Sequence, residues 1–334
     1  MNKKIKFALI GCSRISKKHL EALLILKNSC ILVDVCDIDI ELAKKTAIKF
    51  NANAYDDFDL LVKESNADCL IIATPSGLHA SQSIQGMQNG YHVVTEKPMA
   101  VSMKDAIKML KVSKKEKKNL FVVKQVRFLD QIQKIYKCIK ENRFGKIYMF
   151  NANLFITRPE NYFEESDWRG SKIMDGGALL NQSSHFIDLA LWLLGPVENV
   201  SAFNDTLARR IETEDSSTIN LRFKSGALGS INTTILTYPK NIGNSMTIIG
   251  EKGTIQLGGA YINRIDKWEF LDKNSYDYIE GETLDLDISH EPFYKNVIDS
   301  LNLKSKPLID GNEGLKSIEL IDRCYKSSKN KEIC

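Results

Sequence analysis

Over the first 125 residues, short unbroken apolar runs alternate with segments of helical spacing, and few folds accommodate that alternation. IKFALIG (5–11) is apolar and stops at glycine, so it reads as a buried strand. RISKKHLEALLILKN (14–28) places apolar residues at 15, 20, 23, 24 and 26, a helical spacing. CILVDVCD (30–37) is a second strand, and DIELAKKTAIKF (39–50) a helix opened by an acidic cap. DCLIIATP (68–75), YHVVTEKP (91–98) and LFVVKQV (120–126) continue the strands. LHASQSIQGMQNG (78–90) and SMKDAIKMLKVSKKEKK (102–118) continue the helices. Strands that are apolar throughout belong to a parallel sheet covered on both faces, and right-handed crossovers make that sheet doubly wound.

After about residue 127 the pattern changes. A helix (129–142) leads to the alternating strand KIYMFNANLF (146–155), then to a helix holding His185. From 197 to 288 the chain is mostly strands with glycine turns, which predicts an antiparallel meander. EPFYKNVIDSL and NEGLKSIELIDRCYKSS return to helix. The expected architecture is an N-terminal α/β Rossmann domain (1–125) and an α+β domain with a mostly antiparallel open sheet (126–290). Helices at 291–334 are expected to pack back on the first domain.

Charge excludes some functions. The net charge is +4, with 46 Lys and Arg interspersed among 42 Asp and Glu, not the clustered basic stripe of a nucleic-acid protein. The densest run, KVSKKEKK (111–118), is the solvated end of a helix. Seven cysteines without a C-x-x-C pair predict reduced thiols and no metal site, as in a cytoplasmic protein. The apolar run near the N-terminus is too short to span a membrane and lacks a small-residue cleavage site.

GCSRIS (11–16) follows the first strand and opens a helix in the frame of G-x-G-x-x-G/A, with Ser13 and Ser16 in place of the later glycines. The loop Gly11, Cys12, Ser13, Arg14 and Ile15 is the candidate pyrophosphate site. Asp37 ends the second strand, where an acidic side chain binds the ribose 2′-hydroxyl and repels a 2′-phosphate. The expected cofactor is therefore NAD. The alternative for Asp37 is a helix cap, a task Asp39 is also placed to perform. Thr74, Pro75, Glu96, Lys97 and Gln125 lie at the ends of core strands and are grouped with the cofactor-lining residues. His79 joins them without a chemical role, being read as a helix cap or a surface residue.

Lys97, in TEKPM (95–99), follows a parallel strand and is held extended by the next proline. A lysine there can steady a developing alkoxide, or simply pair with Glu96. DGGALLNQSSHFIDLALWLLGP (175–196) sets Asn181 and His185 four apart, as on one face of a single helix. Its glycines leave room for a ligand, and Gly195-Pro196 ends it. Histidine suits proton abstraction near neutral pH, and a satisfied core histidine is the competing reading.

Together, the uneven dinucleotide loop, E-K-P after a core strand and G-G-A-L-L-N-x-x-x-H-x-x-D resemble the Gfo/Idh/MocA oxidoreductase family over essentially the whole chain. The resemblance implies that Lys97 and His185 are the catalytic pair. Many members carry aspartate at the Asn181 position. ATPSGLH, TRPENYF, WRG, IETED and EGLKSIELI resemble the bacterial UDP-N-acetylglucosaminuronate 3-dehydrogenases of surface-polysaccharide synthesis, where asparagine is expected. Such a substrate carries a carboxylate and a diphosphate, which suits arginine. Arg127, Arg158 and Arg169 are candidate donors, and Tyr162 and Trp168 candidate packing partners, beside Lys97, Asn181 and His185. The resemblance implies NAD-dependent oxidation at C-3, a homo-oligomer (a tetramer) and a PLP-dependent aminotransferase as the next enzyme. The alternatives are a different sugar or inositol dehydrogenase of the family, or a non-catalytic dinucleotide-binding regulator. Two departures stand out: the serines of the phosphate loop, and a shorter segment before HEPFYKNV.

Overall fold

Strand β1 (Ile5–Ile10) is buried along nearly its whole length, as its unbroken apolar run requires, and lies inside a parallel sheet. The computed structural model describes residues 3–285 and 289–334. The alternation continues through α1 (Ser16–Ile25), β2 (Cys30–Cys36), α2 (Ile40–Ile48), β3 (Asn53–Tyr55) and α3 (Phe58–Glu64). It ends with β4 (Cys69–Ile72), α4 (His79–Gln88), β5 (His92–Thr95), α5 (Met103–Lys115) and β6 (Leu120–Val122). The strands pair in the order β3-β2-β1-β4-β5-β6, all parallel. The order reverses between β1 and β4, so a ligand crevice is expected at the carboxyl ends of these strands. Phe7, Leu9, Leu70, Ile71, Val93 and Val94 are fully buried between the helical layers.

Two details depart from the periodicity. β3 and α3 fall in a stretch without an apolar run; β3 is three residues of edge strand, and α3 is capped by Asp57. Helix α1 turns Ser16, His19, Ala22 and Leu23 inward, while Leu24 and Ile25 are 52% and 60% exposed. The inward stripe thus includes a histidine and omits two apolar residues.

The later elements are α6 (Asp130–Lys140), β7 (Ile147–Phe155), α7 (Glu160–Glu164), α8 (Ala178–Asn181), α9 (Ser184–Leu194), β8 (Val197–Asp205) and β9 (Ser216–Phe223). They are followed by β10 (Leu228–Thr234), β11 (Gly243–Gly250), β12 (Gly253–Gly258), β13 (Arg264–Phe270), α10 (Glu291–Leu301) and α11 (Gly311–Asn330). Seven strands pair in the order β13-β12-β11-β7-β10-β9-β8, antiparallel except for β7 with β10. The single meander expected from sequence is therefore split, with β7 inserted between two three-stranded meanders. The loop 235–242 is longer than a tight hairpin turn and holds Pro239, so β10 and β11 do not pair with each other. Strand β9 shows the two faces of this sheet: Ile219, Leu221 and Phe223 are buried, and Thr218, Asn220 and Arg222 are exposed.

The chain divides into two units, Met1–Gln125 with Ile288–Ile318, and Val126–Asp287 with Glu319–Cys334. Helix α10 belongs to the first, and α11 begins in the first and ends in the second. Residues 286–288, in the segment before HEPFYKNV, lie outside the described residues. Among the described residues, no helix is long and apolar enough to cross a membrane. The seven cysteines are free thiols.

Candidate active site

In the first unit the turn after β1 is set by Gly11. Its φ is +92°, and a Cβ there would lie 2.6 Å from the Ala73 carbonyl oxygen, so only glycine lets β1 and β4 end side by side. Asp37 joins this turn to β2: Oδ2 accepts the Cys12 N–H at 2.7 Å and Oδ1 the Asp39 N–H at 3.0 Å. Asp39, not Asp37, caps α2, accepting from Glu41 and Leu42. A half-buried carboxylate with two further lone pairs is suited to ribose hydroxyls.

Ser16, at the third glycine position, is buried and donates its hydroxyl to the Ser13 carbonyl at 2.6 Å. The hydroxyl thus closes the loop on itself, while Ser13 and Arg14 are exposed. The N-cap of α1, Ile15, makes no side-chain hydrogen bond, which suits a helix start that receives an anion. Burial, with a smaller contribution from Asp37, pushes the Cys12 thiol up to about 12, so it stays protonated. Thr74 donates its hydroxyl to Gln82 at 2.6 Å, and Pro75 precedes the short turn leading to α4. Gln125 Oε1 is buried without a hydrogen-bond partner among the described residues, an acceptor left over for a ligand. Taken together, these residues fit a dinucleotide.

His79 departs from the sequence reading. It is neither exposed nor a side-chain cap: the ring is 1% exposed, with Nδ1 2.7 Å from the Pro98 carbonyl oxygen and Nε2 2.8 Å from that of Thr74. Both ring nitrogens are therefore occupied by the protein. Burial pulls this imidazole down, and the two carbonyls oppose it. Lys97, half-buried, follows Glu96 just beyond β5, and the Glu96 carboxylate accepts the Lys97 backbone N–H at 3.0 Å.

In the second unit the segment from Asp175 to Pro196 is not one helix. Helix α8 ends at Asn181, the Ser183 N–H turns back to the Ala178 carbonyl oxygen, and α9 starts afresh at Ser184. Asn181 and His185 therefore sit on successive helices rather than on one face of a single helix. Asn181 donates its amide to Asp175, which also accepts the Gly170 N–H at 2.9 Å. His185 lies in the first turn of α9, half-buried, and the buried apolar body behind it ends at Gly195 with φ +86°. Gly177 makes room not for a ligand but for Glu214, whose Oε2 would lie 2.5 Å from an added Cβ.

Arg127 departs from the expected substrate contact. It is 4% exposed, and Nε and Nη2 each donate to Asp188 at 2.7 Å. That edge of the fork is already spent on a carboxylate of the protein itself. The other candidates are brought together. The Arg158 guanidinium lies 5.2 Å from the Tyr162 ring centroid and that of Arg169 4.2 Å, and Arg169 is also 5.6 Å from the Trp168 ring. Arg169 Nη1 donates to the Tyr162 carbonyl at 2.8 Å and to the Glu165 carboxylate at 2.5 Å, which fixes the loop and commits that nitrogen to the protein.

Sequence reasoning missed His19 and His290, which meet at Glu96, and Glu214 behind the glycine pair. For His19 the signal was available: steps of three and four from 15 and 16 put it on the stripe of Ala22 and Leu23. For His290 and Glu214 no local pattern would have served.

Two family descriptions cover nearly all of the chain: an oxidoreductase-family NAD-binding Rossmann fold over residues 5–124, and the C-terminal alpha/beta domain of the same family over 136–333. The chain belongs to the Gfo/Idh/MocA oxidoreductase family. As a member of that family it is an oxidoreductase whose cofactor is NAD. Among solved Gfo/Idh/MocA-like structures, the WlbA dehydrogenase of Bordetella pertussis, in complex with NADH and UDP-GlcNAcA, is 43% identical with a TM-score of 0.92, over 99% of this chain and 98% of its own. The WlbA dehydrogenase of Chromobacterium violaceum, with the same two ligands, is 44% identical with a TM-score of 0.92, over 99% and 95%. A curated relative, the 2,7-anhydro-N-acetylneuraminate hydratase of Escherichia coli, is 28% identical over 66% of this chain and 60% of its own length. The match thus spans less than two thirds of that relative.

Proposed function

We propose that the protein oxidises the C-3 hydroxyl of UDP-N-acetylglucosaminuronic acid to the 3-keto sugar, with NAD as acceptor. The observation that carries this reading is the 43–44% identity, over essentially whole chains, to dehydrogenases crystallised with NADH and UDP-GlcNAcA. The arginine–aromatic cluster adds to it, because a guanidinium fork matches a carboxylate or a diphosphate and a ring packs on a sugar or base.

Gly11, Cys12, Ser13, Arg14, Ile15, Asp37 and Gln125 would hold NAD, which when bound supplies the hydride acceptor. His185 takes the proton of the substrate hydroxyl, and Lys97 stabilises the oxygen as charge develops on it. Asn181, neutral and tied to Asp175, orients a sugar hydroxyl rather than relaying a proton. Arg158 and Arg169 hold the acidic groups of the substrate. A 3-keto sugar is a substrate for a PLP-dependent aminotransferase, which we place next in the sequence of reactions.

The test is the NADH absorbance band after mixing protein, NAD and the UDP-uronate, with UDP-N-acetylglucosamine as control and an aminotransferase added to draw off the ketone. A rise with the uronate alone supports the reading. Turnover of free hexoses or inositol instead, or NAD binding without turnover of any of them, overturns it. His185→Ala is expected to lower turnover far more than NAD affinity; equal loss of both would make His185 a packing residue.

A further inference from the structure

Glu96 lies just beyond β5 beside Lys97, but its carboxylate points into the interior of the first unit and is only 6% exposed. Oε1 lies 3.1 Å from His19 Nε2 and 3.4 Å from His290 Nε2, and Oε2 accepts the Lys97 N–H at 3.0 Å. His19 Nδ1 is 2.6 Å from the Tyr294 hydroxyl. His19 and Tyr294 are fully buried and His290 is 1% exposed. The groups arrive from separate parts of the chain: His19 from α1, His290 from the residue before α10, Tyr294 from its first turn. Packing alone does not call for such a cluster, since apolar side chains fill a core without the desolvation cost of a buried carboxylate.

The protons can be counted. An ionised carboxylate only accepts, so His290 presents an Nε2–H to Oε1, while His19 Nε2 faces the same oxygen at 3.1 Å, within ion-pair distance but outside hydrogen-bond geometry. His19 Nδ1 is then a lone pair, and it receives the Tyr294 O–H. Tyr294 thus holds the His19 ring with Nε2 turned toward Glu96, and His290 is the hydrogen-bond donor to the same oxygen. Burial alone would raise the Glu96 carboxyl; the contacts from His19 and His290 outweigh it and hold it well below the usual carboxylate range. Burial in turn pulls the His19 imidazole down, in keeping with a neutral ring.

We propose that His19 and His290 are positioning residues for Lys97: they fix the Glu96 carboxylate, and Glu96 fixes the lysine's backbone N–H. The inference rests on the role of Lys97 proposed above. On the far side of the lysine, the Pro98 carbonyl accepts from His79 Nδ1, so three buried histidines flank the segment from Glu96 to Pro98. Lysine is long and flexible, and immobilising its backbone removes freedom that would otherwise be lost in reaching the reactive geometry. The same three atoms, one each from His19, Glu96 and His290, lie within 4.8 Å of one another, close enough to bind a metal. Three ligands are one short of a closed structural zinc site, and Glu96 Oε2 is already committed to Lys97, so the hydrogen-bonded reading is preferred.

The experiment uses the full chain with NAD and whichever sugar the wild type turns over. His19→Ala and His290→Ala are expected to lower kcat by roughly 10–100-fold, the scale of a misplacement of about 1 Å, with KM for both substrates little changed. His19→Gln, whose amide nitrogen reaches the Nε2 position, is expected to restore most of the loss. Imidazole NMR of the wild type is expected to report His19 as the Nε2–H tautomer, a readout of the proton arrangement that stands even where an alanine variant does not fold. The opposite tautomer, an unchanged kcat in folded alanine variants, or one equivalent of tightly bound metal lost in His290→Ala would overturn the inference. Lys97→Ala without loss of turnover would remove the underlying reading as well; its loss without any loss in the histidine variants removes the inference alone.

Discussion

The Glu214 carboxyl accepts the Leu179 N–H at 2.7 Å and the Tyr325 hydroxyl at 3.1 Å, beneath the turn formed by Gly176 and Gly177. Burial raises it from 4.5 to about 7, with a smaller push from Asp175, and the hydrogen bonds only partly offset this. The folded state therefore keeps this proton longer than the unfolded chain does. Its contribution to stability is full below the unfolded value and is lost as pH rises through about 7. At most the slope reaches about 1.4 kcal/mol per pH unit for one proton. All three tryptophans, Trp168, Trp192 and Trp268, lie in the second unit, so their fluorescence follows its unfolding. Urea midpoints are expected to fall from pH 5 to pH 7, and Glu214→Gln to flatten that dependence. The same pH dependence in Glu214→Gln as in the wild type would show that this carboxyl does not carry it.

Helix α9 is held by an ion pair rather than by its apolar stripe alone. Asp188 pairs through both oxygens with Arg127, whose guanidinium also lies 5.2 Å from the Trp192 ring. Trp192 stacks on Tyr136 at 4.3 Å, joining α9 to α6. Removing one partner leaves a buried charge unpaired, so Asp188→Ala is expected to cost about 3–5 kcal/mol in urea unfolding. Replacing both partners by apolar side chains is expected to recover much of that loss, because the uncompensated charge is then gone. Similar losses in the single and double variants would show that the pair acts through packing alone. The pairing also accounts for the one aspartate in the otherwise apolar body of this helix, one turn beyond His185.

At the scale of the whole molecule, the outer face of the second sheet bears on assembly. Ile249, Met149 and Leu228 are register partners across β11, β7 and β10, and are 37%, 44% and 43% exposed. Register partners project to the same side of a sheet, so the three form one apolar row. Beside it, Asn151, Asn153, Asn232, Ser230 and Ser245 hydrogen-bond to one another. Such a face is suited to a second copy of the chain. We expect light scattering to give a mass at least twice the 37.8 kDa chain, one such face pairing two copies. Met149→Lys is expected to lower that mass, and a wild-type monomer would refute the expectation.

Sequence alone determined which elements exist wherever burial writes a pattern. β1, β2, β4, β5 and β6 are legible because a strand covered on both faces must be apolar throughout. Their order along the chain also marks where ligand loops fall, since in a doubly wound sheet these follow the strands' carboxyl ends. β3 was not legible, because three residues of edge strand carry no period. Nor was the break between α8 and α9, where a backbone turn interrupts an apolar run. Tertiary structure alone decided the partners of polar groups. Arg127 is turned from a candidate substrate donor into the buried mate of Asp188, His79 into a tie between two loops, and Gly177 into the seat of Glu214. It also brought His290 to a carboxylate 194 positions earlier in the chain. The physical reason is that hydropathy is a property of each residue and repeats with the backbone, whereas a buried polar side chain is stable only beside a particular partner, and that partner is chosen by the fold.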